Sequence, residues 1–556
     1  MLASLPKKFP FPYKPEKFTK KEKAILSRFF TNTDKPVFAI FGLPQEVVGA
    51  LFSRYSRTAK SIRRVFLDEF WSSEDLGIDG KRLGKARTRT QDFYRRVFAE
   101  FGDDSVIQMG SLHVAFEFVS QIAAKAIEDG RIAVAYMEKS TRYVDFGNKS
   151  SDHYLYMEVP EIMESEFAEE FIKWNESLFD AYVKHLSTTK RFLEKKYPLS
   201  KGEKDKVRRA YERALKAKTL DTIRVFLPTT TVTNLGAHFS GQAAENTLNK
   251  MIASPYSEIR LLGKMALEEL MKVSPNFLQH VDHPYGERTR SYFRDVRQQQ
   301  EGAVKEMIDR INKSPGGKAV QLVDWDKDAD IKLASQIIYT AQRYKRRSKA
   351  EILAWARKLS KKKLQEIIIS SMPDRSTQGL NRRHKLPRAF EHVFAEVEFD
   401  VNFGIYRDLQ RNRMSSTERQ ALGAERVFIP REFRERGMTK VLRDYMKHVA
   451  WTRKLHRKIS KSKDPNLARA AEYVTIFGNK LRFNVRANIR QWVFFAELRT
   501  IEGGHPSYRH ALQKATRQIV KAMPFLKPLF AHVDWKKDYG LGRLKAEIRT
   551  QQELSK

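Results

Sequence analysis

The chain has 556 residues, of which 41% are hydrophobic, 11% aromatic and 31% charged, a globular composition with ample core material rather than that of a disordered chain. It contains no cysteine, which removes disulfide scaffolds, thiolate zinc sites, iron–sulfur clusters and cysteine nucleophiles together. Lys and Arg number 104 against 67 Asp and Glu, and the resulting +37 suits anionic partners: nucleotides, phosphorylated cofactors or nucleic acid.

Taken in chain order, residues 1–35 read as an N-terminal extension, with no apolar h-region to make them a secretory signal. No apolar run anywhere approaches the roughly 18 residues of a membrane span, so the expected setting is the cytoplasm, without a membrane partner. A first α+β unit is expected over 36–290. In it, Leu112-His113 leads into the alternating run VAFEF (114–118) and then the helix-like VSQIAAKAIEDGR (119–131). The basic stretch 195–218 reads as a charged helical face, and HFSGQAAENTLNKM (238–251) as a helix of small and amide residues. The Pro-Gly-Gly and clustered Asp of 313–330 place a linker over 291–330. A second unit is expected over 331–556, where Glu391-His392 leads into VFAEVEFDV (393–401), then NFGIYRDLQRNR (402–413) and later FNVRANIRQWVFFAELR (483–499). The two halves thus read as an internal repeat of low identity. The fold class is α+β: two tandem, helix-rich repeats with short antiparallel sheets.

Three segments carry chemistry. In AYMEKSTRYVDF (135–146), Glu138, Ser140, Thr141, Arg142 and Tyr143 offer a phosphate a hydroxyl and a bidentate guanidinium while the carboxylate orders the turn. In IYRDLQRNRM (405–414), Arg407, Arg411 and Arg413 make a strong anion site. In NIRQWVFFAELR (488–499), Asn488, Arg490 and Arg499 fall at helical spacing. Taken singly, Arg411 and Arg413 read more readily as solvated or salt-bridged to neighbours such as Asp408 and Glu418 than as phosphate ligands, and Asn488 as a helix cap or a surface amide. His113 and His392, each ahead of a strand, read as packing residues, and the thirteen histidines show no metal-ligand spacing.

Together these motifs resemble the flavin-dependent thymidylate synthase family (ThyX, the alternative thymidylate synthases). Its hallmark is an Arg-His-Arg cluster followed by a Glu-x-Ser-x-Arg-Tyr turn, in homotetramers whose sites are shared between chains. The first half keeps the turn, Glu138 to Tyr143, and the arginine ahead of Leu-Pro, Arg224. It has Gly130-Arg131-Ile132 at the cluster, and Ser240, Gln242 and Met251 on the later helix. The second half keeps Arg411-Asn412-Arg413, with Asn in place of His, together with Asn488, Arg490 and Arg499. It has lost the turn, with Ala421 at the Ser position, and carries Glu472 near the pre-Leu-Pro place. Each half retains what the other has lost, the pattern expected of duplication, fusion and specialisation.

The resemblance implies a thymidylate synthase making dTMP from dUMP with methylene-tetrahydrofolate, FAD and NADPH, at one composite site built from both repeats. Glu138, Ser140, Thr141, Arg142 and Arg224 then bind dUMP. Arg411 and Arg499 lie at its base and phosphate as the catalytic pair, and Arg411, Asn412, Arg413, Asn488 and Arg490 face FAD. HKLPRAFEH (384–392) adds His384 and Glu391 as FAD contacts, and the region 51–63 adds Ser56. No metal is implied. A homodimer equivalent to the family tetramer is expected. The competing readings are a non-catalytic or nucleic-acid-binding descendant, motivated by the +37 and Asn412, and a flavin enzyme acting on uracil within a polynucleotide.

Overall fold

The computed structural model describes residues 16–34, 38, 40–55, 60–71, 105–142, 144–150, 153–308, 317–538 and 540–553. Ser56 and Tyr143 lie outside these residues. Strand β1 (Ser111–Val119) runs into helix α1 (Gln121–Ile127), followed by strand β2 (Val134–Glu138). Helices α2 (Ala168–Lys196) and α3 (Asp205–Ile223) precede strand β3 (Thr233–Ser240), helix α4 (Gly241–Ile252) and helix α5 (Pro284–Ile308). Next come strands β4 (Val320–Trp325) and β5 (Phe394–Asn402), helix α6 (Phe403–Leu409), strand β6 (Ser416–Arg419) and helix α7 (Thr439–Ser460). Strand β7 (Lys480–Asn488), helix α8 (Ile489–Arg499) and helix α9 (Pro506–Ala522) complete the framework of the site. The class is α+β, rich in helix with short sheets. No helix of the described residues is long and apolar enough to cross a membrane.

The repeat is written most clearly at four strand-to-helix junctions. β1, β3, β5 and β7 each end at a short polar residue whose side chain accepts from the third backbone N–H of the helix that follows. Ser120 accepts from Ala123 at 3.0 Å, Ser240 from Ala243 at 3.3 Å, Asn402 from Ile405 at 3.1 Å and Asn488 from Gln491 at 2.9 Å. Such caps satisfy a donor the helix leaves orphaned and contribute about 1 kcal/mol each. The sheets match as well: one has the order β1-β3-β2, the other β4-β5-β7-β6, so the strands leading into the junctions sit in corresponding places. In the second sheet every pairing is antiparallel. Ala395, Val397, Phe399 and Val401 of β5 are buried, and the intervening Glu396 and Glu398 face a polar ladder. Arg482 donates to Glu398 at 2.6 Å and Asn484 to Glu396 at 2.8 Å, as alternation over a half-buried sheet requires.

The stretch 291–330 differs from the linker expected there. Its first part continues α5 to Ile308, and Val320–Trp325 is strand β4, paired with β5 through Val320↔Phe399. Val320 and Leu322 share one face, and the edge of β5 supplies unpaired backbone groups for them to join. The N-terminal extension is also partly core. Phe18, Leu26, Phe29 and Phe30 pack with Leu43, Val47, Leu51, Ile62, Val65 and Phe66, behind a helix start whose Thr19 and Glu22 cap each other reciprocally.

Packing divides the chain into two compact units interleaved in sequence: 1–116 with 132–137 and 235–306, and 117–131 with 138–234 and 307–556. The first-repeat motifs at 138–142 and 224 therefore fold in the same unit as the second repeat. Inside that unit, corresponding segments of the repeats meet: Thr229 N donates to Thr475 O at 2.9 Å, and Phe477 N to Leu227 O at 2.8 Å. Phe226 is buried there against Tyr445 and Phe433. Trp174 donates to the Thr452 hydroxyl at 2.9 Å and Trp492 to Ala395 O at 2.8 Å, so both indoles are buried without losing their polar partner.

Candidate functional site

Every residue of the site described below belongs to the second unit. Its organiser is the turn after β2. Glu138 ends the strand with its carboxylate buried, and Arg407, Arg411 (2.6 Å) and Lys125 (3.0 Å) donate to it. Burial raises a carboxylate's pKa, but here the charges of Arg407, Lys125 and Arg411 outweigh it and hold Glu138 well below the usual range. Its oxygens are thus occupied by protein cations. Glu138 orients guanidinium groups rather than standing free for substrate, a departure from its expected place among the dUMP contacts.

Thr141 continues the pattern. Its buried hydroxyl accepts from Arg224 Nη1 at 3.3 Å and Arg407 Nη1 at 3.2 Å, joining an arginine of each repeat. Ser140 Oγ accepts from the Arg142 backbone at 3.3 Å, which tightens the turn. Arg142 makes a bidentate pair with Asp221, Nε at 2.8 Å and Nη2 at 2.7 Å, leaving Nη1 out of the pair. Burial opposes the Arg142 charge, but Asp221 reverses that and pushes its pKa up. For Asp221 burial is again the opposing influence, and Arg142 leads the cations that hold it low. Arg224 lies over the start of α6, where a Cβ on Gly404 would stand 3.5 Å from Arg224 Nε and 3.1 Å from the capping Asn402 oxygen. The second residue of that helix is a glycine because the guanidinium and the cap leave little room.

Asp408, on α6, gathers the cluster. Burial would raise its pKa, and Arg499, Arg224, Arg142 and Arg411 together lower it. Those are the four arginines anticipated above. Asp408, Arg142 and Arg499 are each partly exposed, so solvent reaches the cluster. Arg499 ends α8 with its guanidinium 5.7 Å from the Tyr508 ring centroid. The cluster comprises six cations (Arg142, Arg224, Arg407, Arg411, Arg499 and Lys125) and four carboxylates (Glu138, Asp221, Glu128 and Asp408), two positive charges in excess. Several donors are buried there without an acceptor: Arg224 Nη2, Arg407 Nε and Arg499 Nε. His505 closes one side as the cap of α9, its Nδ1 accepting from Ser507 N at 3.1 Å. Burial, reinforced by Arg224 and Arg142 and opposed by Asp221, drives its pKa down to about 3, so the ring is neutral.

The remaining expected residues form a strip leading away from Arg411. Asn412 is buried; its oxygen accepts from Gln491 Nε2 and its Nδ2 has no acceptor. Gln491 in turn donates its backbone N–H to Asn488, so Asn488 is indeed the helix cap. Arg490 donates to Leu386 O and to Glu391, both at 2.6 Å. Two residues expected to face a cofactor separately are therefore partners of each other. His384 is exposed, accepting from Asn381 N at 3.0 Å, and Arg413 is exposed as well. Asp221, Lys125, Glu128 and His505 were not anticipated. Asp221 stands one helical turn before Arg224, and Lys125 and Glu128 are an i, i+3 pair; that spacing was the available signal. Among the described residues no group of three His, Asp or Glu is placed to hold a metal ion.

An excess of two positive charges, buried donors lacking acceptors and a flanking strip of Arg and Asn suit a phosphorylated heterocycle. Sequence comparison agrees with that class. Residues 53–276 and 321–525 match the thymidylate synthase complementing proteins, two segments as a tandem duplication requires. The chain belongs to this family, the flavin-dependent (ThyX) thymidylate synthases. It is 37% identical over 545 residues to a UPF0159 protein of Chlamydia pneumoniae, covering 96% of this chain and 98% of that one. It is 34% identical over 540 residues to a UPF0159 protein of Chlamydia muridarum, with the same coverage. A UPF0159 protein of Thermoplasma acidophilum is 28% identical over 525 residues, 90% of this chain and 98% of that one.

Proposed function

We propose that the protein is a flavin-dependent thymidylate synthase that converts dUMP to dTMP at one composite site per chain. The observation that carries the reading is the convergence of Thr141, Arg142 and Arg224 of the first repeat with Arg407, Arg411 and Arg499 of the second around Asp408. Arg142, Arg224 and Ser140 hold the phosphate of dUMP, whose two negative charges balance the local excess. Arg499 and Arg411 face the uracil carbonyl groups and stabilise negative charge on the ring, as preorganised donors do. Glu138 and Thr141 act through the arginines they fix. Arg411, Arg413, Asn412, Asn488 and Arg490 hold FAD. When bound, the flavin supplies a hydride, NADPH restores it, and methylene-tetrahydrofolate supplies the carbon. The protein's part is positioning and charge stabilisation, for which no cysteine is needed. We further propose a homodimer with two such sites.

Purified protein is expected to carry an FAD spectrum, to oxidise its reduced flavin faster with dUMP and folate, and to rescue a thymidine auxotroph. Arg224→Ala is expected to weaken dUMP-dependent oxidation by about 10- to 100-fold, the range for one charge-assisted contact, while keeping the flavin. A colourless protein that fails to rescue overturns the proposal.

A further inference from the structure

One charged feature takes no part in the composite site. At the far end of α9, Arg517, Val520 and Lys521 line a groove of about 840 Å³ together with Asp374, Lys527, Phe530 and Trp535. Trp535 is 42% exposed, costly for so large an apolar ring, and the Arg517 guanidinium lies 4.9 Å from its centroid. Arg517, Lys521 and Lys527 are exposed. Arg517 and Lys521 stand at i, i+4 on one helical face, where like charges repel. One acid lines the groove, Asp374, whose carboxylate accepts from Ser376 N at 2.9 Å and Ser376 Oγ at 2.8 Å, so three cations stand against one carboxylate. The buried arginines Arg142 and Arg375, by contrast, are each paired with an acid, Asp221 and Glu497. Here an aromatic ring and three exposed cations share one open groove with a single carboxylate, in a chain of net charge +37.

We propose that this groove is a docking surface for single-stranded nucleic acid. A base stacks on Trp535 while Arg517, Lys521 and Lys527 neutralise the phosphates beside it. Stacking requires an unpaired base, which is why the partner is a single strand rather than a duplex. The groove and His505 lie at opposite ends of α9, about 20 Å apart along the helix, so occupancy here is separable from the chemistry proposed above.

The test is fluorescence anisotropy of the full-length protein with a fluorescein-labelled oligouridylate over a range of salt concentrations. Binding is expected to weaken with salt. Replacing Arg517, Lys521 and Lys527 together by Ala is expected to reduce the slope of log K against log salt by about 2, near 0.7 per lost phosphate contact. Trp535→Ala is expected to weaken binding about tenfold and Trp535→Phe to retain most of it, with thermal melts and flavin content unchanged in both. Four outcomes overturn the proposal: wild-type affinity in every variant, equal affinity for duplex irrespective of Trp535, competition by UMP as effective as by the oligomer, or a change of oligomeric state in Trp535→Ala that assigns the groove to a second copy.

Discussion

Around Glu138, three cations depend on one buried carboxylate, so removing its charge is more than the loss of one bond. Glu138→Gln leaves Arg407, Arg411 and Lys125 facing one another with their shared carboxylate gone, and a loss of about 3–5 kcal/mol is expected, read as a lower urea midpoint at constant slope. His505 gives a pH signature. Its folded pKa of about 3 lies below the ordinary 6.5, so the unfolded chain takes the proton first. Stability is therefore complete above pH 6.5 and is lost progressively as the pH falls from 6.5 towards 3. Asn at this position keeps a cap but cannot titrate, and His505→Asn is expected to remove about one proton from the slope of stability against pH in that window. At this scale the arginines were legible because their motifs survive intact in one repeat or the other. Their counter-ions were not. Asp221 and Glu128 belong to none of those motifs, and only packing reveals that they face guanidinium groups.

The strand–cap–helix junction is the element in which the duplication is most clearly preserved. Ser240→Ala and Asn488→Ala are each expected to cost about 1 kcal/mol of stability, measured by denaturation. Only Asn488→Ala is expected to lose flavin as well, since α8 and not α4 carries the arginines of the proposed cofactor strip. Where the repeats meet, Gly478 is fixed by contact: a Cβ there would stand 1.9 Å from the Tyr445 hydroxyl oxygen and 3.3 Å from Val225 O. Tyr445 is itself held by its bond to Phe428 O at 2.9 Å, so Gly478→Ala is expected to cost several kcal/mol and to lower the melting temperature more than either cap variant. The alternation of β1 and β5 and the helices after them could be read directly. Strand β4 could not, because Pro-Gly-Gly and clustered Asp outweighed a short apolar alternation whose partner lies some 80 residues away at Phe399.

For the whole molecule, light scattering and flavin absorbance are expected to give a dimer with one FAD per chain. A monomer overturns the proposed dimer, and two flavins per chain sink the composite-site reading. The two-repeat plan and the α+β class were visible in sequence, since they follow from local pattern. The packing division was not, because it depends on contacts between distant segments, and it assigns 117–131 and 138–234 to the company of the second repeat. That division has a mechanical corollary. The backbone passes between the units five times, at 116/117, 131/132, 137/138, 234/235 and 306/307. Severing it once at any point leaves other passages uncut, so neither unit is released by a single nick. Limited proteolysis is expected to yield chains that separate on a denaturing gel while still eluting as one particle under native conditions, like a knotted parcel whose string has been cut in only one place.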